Sequence, residues 1–238
     1  MSRVAVASLA SSPGVSTLVS AMAVASTSPL LVVECPPDGG VLAVRWGLPR
    51  EVTVTDLAAD ADPSSCLWDR ARPWVGASRL LPADASAVAA HHTPVVRYVA
   101  DRLATVDVPA VVDLGRLRPD EATLALLRGV DRLWLLLEPT VEHVTAAMSW
   151  RPLLERTCTV ELLIADRPAA SGGYRPGEIA RTLAWDYLDT IQRDRRGALA
   201  LRGIGAPSPW LVQRLPLVRQ ARQVLQQAGL HEPQEVGV

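Results

Sequence analysis

Residues 4–23 read VAVASLASSPGVSTLVSAMA, and their reading decides the fold. A run of valines and alanines ends in a cluster of serines, a proline and a glycine, and a helical pattern starts at once behind it. This is a strand, a small-residue turn and a helix. Small residues in such a turn let backbone N–H groups converge on an anion, and the helix N-terminus adds the positive end of its dipole. The same turn also serves as a plain βα connection, so alone it assigns no ligand.

Working outward, further apolar runs bounded by turn residues predict strands at 3–9, 30–34, 110–114, 132–138 and 159–165, with a weaker one at 187–191. Helical patterns over 15–26, 119–129, 141–154 and 176–184 lie between them. This alternation predicts an α/β fold, a three-layer, doubly wound, mostly parallel sheet with helices on both faces. LLVVE, AVVDL and LWLLLE are nearly all apolar, as strands buried on both faces require. Residues 60–86 carry Pro63, Pro73 and Pro82 without a sustained period. They read as an irregular insertion with one short strand at 79–81, before a helical pattern resumes over 87–104. A last helix starts at Pro216, whose missing N–H costs nothing there, and Gly229 suits its C-terminal cap. One domain over 1–230 and a disordered tail over 231–238 complete the expectation.

Hydrophobic residues make up 49% of the 238, enough for a sizeable core, and with no Phe that core rests on Leu, Val and Ala. The net charge of -1 gives no global attraction to nucleic acid or anionic lipid. Cys35, Cys66 and Cys158 show no CxxC spacing, which predicts neither a metal centre nor a disulfide framework. With no leader-like or membrane-spanning run, a cytoplasmic setting is expected. All 24 basic residues are arginine. No lysine-dependent step is open to this chain.

Three more segments, LLVVECPPDGG (30–40), AVVDLGR (110–116) and LWLLLEPTVEHV (133–144), join the first in order and spacing. Together they resemble the ParA/MinD branch of deviant P-loop ATPases over roughly residues 3–165, as a degenerate member similar to actinobacterial MinD-like proteins. That resemblance implies a P-loop NTPase-like fold. The family's loop reads KGGxGKT. On SSPGVST its signature lysine falls on Ser11 and its Walker lysine on Ser16, with Ser12, Pro13, Gly14 and Val15 between. Thr17 falls on the magnesium-ligating position. In the family's DxDPxG switch, Glu34 replaces the first aspartate and Pro36 the second, and Asp38 stands two residues on as a substitute. Asp113 and Gly115 are retained, and Arg116 is a candidate replacement cation. Asp166 and Arg167 stand where the family places Asn-Arg near the adenine. If nucleotide binds, the resemblance implies that Thr17 and Asp113 hold its magnesium.

Phosphoryl transfer depends on positioning and charge neutralisation, and losing a cation at the transferring phosphate slows it by roughly 10²–10⁵. Negligible hydrolysis and weak or absent ATP binding follow as expectations. The resemblance then implies a scaffold or regulator with protein partners, serving a partitioning, septum, pilus or secretion assembly. It implies too that any homodimer forms independently of nucleotide, with Arg116, Trp68 and Trp74 as candidate contacts. An active divergent ATPase and a DNA-associated protein with an arginine patch remain alternatives, although no strong nucleic-acid signal is present. In the last helix Arg214, Arg219 and Arg222 lie opposite the apolar residues, which suits either peripheral membrane contact or closure of the sheet. His91 and His92 read as surface residues, and Glu142 and His143 as helix capping. The loop serines lack a GxSxG frame and a histidine placed as base.

Overall fold

Each predicted strand pairs into one eight-stranded sheet. The computed structural model describes residues 2–11, 13–49, 52–60, 66–86, 93–166, 173–202 and 209–230. Among these the chain runs β1 (Arg3–Ser8), α1 (Val15–Ala25), β2 (Leu30–Glu34), three short helices α2 (Leu42–Arg45), α3 (Val54–Ala59) and α4 (Leu67–Arg70), then β3 (Arg72–Pro73) and β4 (Ser78–Leu81). It continues with α5 (Thr93–Leu103), β5 (Ala110–Arg116), α6 (Glu121–Arg128), β6 (Arg132–Leu137), α7 (Val141–Leu154), β7 (Thr159–Ala165) and α8 (Pro176–Leu183). The last elements are β8 (Asp186–Ile191), α9 (Arg195–Ala200), α10 (Pro209–Val212) and α11 (Pro216–Gln227).

The strand order is β3-β4-β2-β5-β1-β6-β7-β8. All neighbours are parallel except the β3–β4 hairpin at one edge. β1 therefore lies inside the sheet, between β5 and β6. The chain leaves β1 towards one edge and leaves β5 towards the other. In open α/β sheets such a reversal makes a crevice beyond the carboxyl ends of the strands, where ligands bind.

Side-chain alternation divides the core in two. Ala5, Ala7, Leu133, Leu135 and Leu137 face one layer with α3, α5, α6, α7 and α8. Val4, Val6, Trp134 and Leu136 face the other, with α1 and α11. The apolar side of α11, including Leu217, Val218, Ala221, Val224 and Leu225, is buried in that second layer. This is the sheet-closing role, and it leaves that face covered. No helix among the described residues is long and apolar enough to cross a membrane.

The stretch 60–86 is more regular than its prolines suggest. β4 is an integral parallel strand beside β2, while Pro73 sits in the edge strand β3, where a missing N–H is tolerated. Trp68 lies under the Arg79 guanidinium at 4.7 Å, and Trp74 meets Trp46 edge-on at 5.4 Å. Both are half-buried and pack on the core, so they cover this edge of the sheet. α2, α3, α4, α9 and α10 escaped the sequence reading because each spans too few residues to show a period. The expected tail and His91 and His92 lie outside the described residues.

Trp134 is fully buried at the centre of the sheet, and its Nε1–H donates to Glu161 Oε2 at 2.7 Å. Trp134→Ala should lower unfolding free energy by about 3–5 kcal/mol, read from urea denaturation, because it opens a cavity beneath α1 and α11. Glu161→Ala, which leaves the indole N–H without its partner, should cost about 1–3 kcal/mol.

Candidate functional site

The turn after β1 enters α1 through Gly14, which has φ of 108° and caps the helix without any side-chain hydrogen bond. A left-handed residue is needed there, and glycine supplies it. The first N–H groups of α1 are therefore left for other partners. β5 ends in a bulge: Val6 pairs with Asp113 but Ala7 pairs with Gly115, which leaves Leu114 extra. Gly115 has φ of 55°, and a Cβ on it would come within 3.0 Å of Pro36 Cβ. Glycine thus lets residues 35–41 close over the end of β5.

These segments enclose a cleft of about 390 Å³. The turn and α1 contribute Gly14, Val15, Ser16 and Thr17, and the end of β5 contributes Gly115 and Arg116. Pro36 and Asp38 come from the loop after β2, Arg45 from the end of α2 and Arg202 from the turn after α9. Asp38 is held by Arg116 at 3.4 Å and by Arg118 at 2.5 Å, which ties the loop to the region beyond β5. A second cleft, of about 320 Å³, shares Gly14 and Thr17 and runs past Pro13, Glu138 and Asp166. Its lining includes the apolar Leu18, Leu136, Ala165, Ile191 and Leu217. Most of the sequence-selected residues thus meet around one helix end. Ser12 and Arg167 lie outside the described residues.

Ser11 belongs to neither lining. Its backbone is left-handed, with φ of 50°, and its Oγ lies 2.9 Å from His143 Nε2. His143 is buried in the first turn of α7, and its Nδ1 accepts from the Glu138 N–H at 3.3 Å. With Nδ1 an acceptor, the neutral ring donates from Nε2 to Ser11, so His143 anchors the turn and does not act as its base. Sequence reading placed His143 in a cap. The pairing across 132 residues has no local signal.

Glu34 and Asp113 lie side by side on β2 and β5, both fully buried. Glu34 Oε1 accepts from the N–H groups of Val41 at 2.6 Å and Leu42 at 2.8 Å, and Oε2 accepts from Ala83 at 3.2 Å. This carboxyl clamps the start of α2 and the segment after β4; it does not line the cleft. Burial, then the neighbouring Asp113 charge, push its pKa up to about 7 against the pull of the three amides. Burial also raises Asp113, whose Oδ1 accepts from the Gly115 N–H at 2.9 Å. The nearby Ser16 hydroxyl offsets part of that rise, then the Gly115 amide and Arg45. Ser16 nonetheless falls outside hydrogen-bond geometry, and Asp113 Oδ2 has no partner.

A magnesium ion takes one or two carboxylates and otherwise uses phosphates and water. Thr17 lines the cleft, and Asp113, fully buried and in neither lining, keeps its Oδ2 without a partner; in donor type these are the residues that would hold one. No cluster of three metal-ligating side chains occurs among the described residues, and all three cysteines are free. The positions for the two lysines do not fit: Ser11 is engaged by His143, and Ser16 carries no charge.

No protein-family model and no curated protein matches the sequence. Solved structures do match in fold. A ParA family ATPase from Chlorobium tepidum is similar with a TM-score of 0.76 and 16% identity, covering 93% of this chain and 97% of that one. The septum site-determining protein MinD of Pyrococcus horikoshii, complexed with Mg-ADP, matches with a TM-score of 0.77 and 12% identity over 95% of each chain. The MinC:MinD cell division complex of Aquifex aeolicus matches with 0.74 and 13%, over 98% of this chain and 97% of that one. At these identities the likeness is one of fold.

Glu34 predicts a pH dependence. Between the ordinary value of 4.5 and about 7, the folded chain keeps a proton that the unfolded chain has lost, so stability falls as pH rises through that window. The fall attributable to Glu34 should be on the order of 2–3 kcal/mol, measured by urea denaturation at several pH values. Glu34→Gln should be less stable at low pH but should show a flatter profile. A variant keeping the wild-type slope would assign it to another group.

Proposed function

We propose that this chain is a degenerate ParA/MinD-like protein, a non-hydrolysing scaffold or regulator that positions or organises a cellular assembly through protein partners. One observation carries the reading. The chain has the fold of ParA family and MinD proteins, its loop SSPGVST resembles that family's KGGxGKT with Ser11 and Ser16 at the lysine positions, and it has no lysine to substitute. The transition-state charge of phosphoryl transfer is then left without its loop cation. The partner assembly of the Aquifex MinD supports a protein partner as the general kind, with partitioning, septum placement, pilus or secretion as the candidate settings.

A second reading, an active but divergent ATPase, is favoured by the arginines that reach the cleft from elsewhere in the chain. The two readings differ in turnover. ATP hydrolysis by the purified protein should not exceed that of a mock preparation carried through the same purification. Activity that follows the protein peak and disappears in Thr17→Ala would establish the second reading.

Self-association separates them again. With Ser11 turned to His143, no charged side chain from this position can reach a partner's phosphates. Any dimer should form without nucleotide and persist unchanged when ATP and magnesium are added, as read by sedimentation velocity. Dimerisation only on addition of nucleotide would refute the scaffold reading.

A further inference from the structure

We propose that the cleft at the head of α1 docks an acidic segment of a protein partner, whose carboxylates displace Asp38 from Arg116 and Arg118 and pair with Arg45 and Arg202. The inference rests on the reading just given and names the chemistry of the partner. Arg45, Arg116 and Arg202 line this cleft against a single carboxylate, Asp38. Among the described residues, neither Arg45 nor Arg202 is within salt-bridge distance of a carboxylate. Arg45 acts on the buried Asp113 only through space, and Asp113 lines neither cleft. The whole chain has a net charge of -1, so this excess of positive charge is local. Like charges held together repel one another, which favours an anion that enters between them.

The cleft already contains the contact that such a partner would make. Asp38 lies on the loop after β2, and its carboxylate meets Arg118 at 2.5 Å and Arg116 at 3.4 Å. All three side chains are half exposed. Ion pairs in contact with water contribute little, so a partner's carboxylate can take the place of Asp38 at small cost. Arg45 is held ready by the fold. It ends α2, whose start is fixed by the buried carboxyl of Glu34 through the Val41 and Leu42 amides. Gly40 permits that approach, since a Cβ there would meet Ala83 O at 2.6 Å and Glu34 Oε2 at 2.7 Å. The turn itself supplies no charge: Ser11 is engaged by His143, Ser16 is neutral and Pro13 has no N–H to donate. A polyphosphate would crowd its charges against that turn and find no cation there. The cations stand apart instead, on α2, at the end of β5 and after α9. That arrangement suits carboxylates spaced along a peptide, with one guanidinium fork to each.

Calorimetric titration of the full chain at low ionic strength tests this, with a blocked hexaglutamate peptide as the probe and hexaglutamine as its neutral counterpart. Hexaglutamate should bind and hexaglutamine should not. Arg202→Ala, which removes an exposed side chain, should weaken binding roughly threefold to tenfold. Arg45→Ala should do the same, with folding checked by circular dichroism. Asp38→Asn should strengthen binding by a similar factor, because Arg116 and Arg118 are then free. Asp101→Asn removes the same charge on α5, away from this cleft, and should leave affinity unchanged. Hexaglutamate that does not bind the folded wild-type chain, hexaglutamine that binds equally, or wild-type affinity in both arginine variants overturns the proposal. A gain in Asp38→Asn that Asp101→Asn matches also overturns it, since net charge alone would then explain the attraction. ATP with magnesium, or a DNA duplex, that binds through these arginines where hexaglutamate does not would put a nucleotide or nucleic acid in the peptide's place. Turnover of ATP in the same samples would defeat the non-hydrolysing reading and leave the docking assignment standing. Hexaglutamate that fails to bind a chain without turnover would defeat the docking assignment alone.

Discussion

Everything near the site depends on the confinement of β1. From Val4 to Ala7 this strand is buried on both faces and paired along both edges, so its backbone polar groups there depend on β5 and β6. An unpaired buried amide costs about as much as a lost hydrogen bond, and a slip in register would break two ladders at once. The end of β1 is therefore held rigidly, and with it the turn into α1. Because β5 ends beside it through a bulge and a left-handed glycine, the loop after β2 is drawn over the same point.

Burial of charge is the second constraint. Glu34 and Asp113 stand side by side where water is excluded, and a low dielectric strengthens their repulsion as well as each hydrogen bond they accept. Glu34 is matched by three backbone amides and becomes a structural clamp. Asp113 accepts from one amide and keeps its second oxygen without a partner, which leaves burial to raise its pKa. The same two positions on neighbouring strands thus diverge in role because their local hydrogen-bond supply differs.

Charge and scaffold separate at the turn into α1. A helix N-terminus presents amides whatever its side chains are, and the uncharged Ser16 leaves them in place. A cation is a different requirement, since it needs only to arrive at the right place in space. Guanidiniums on α2, at the end of β5 and after α9 arrive from distant parts of the chain, and the surrounding sheet fixes where they converge.

The sequence by itself determined the layered α/β architecture, because strands buried on both faces must be apolar throughout and the helices between them carry a visible period. It also singled out the turn at 11–17 and the acidic residues Glu34 and Asp113 on recognisable strands, but not that Glu34 clamps α2 instead of lining the cleft. It determined without qualification that no lysine takes part. The short helices, the pairing of β4 with β2, the Ser11–His143 contact and the approach of Arg45 and Arg202 were decided by tertiary structure. Each joins residues far apart in the chain, or spans too few residues to show a period, so no local pattern encodes it. Their placement follows from how the sheet orders its strands, and that order is settled only when the whole chain packs.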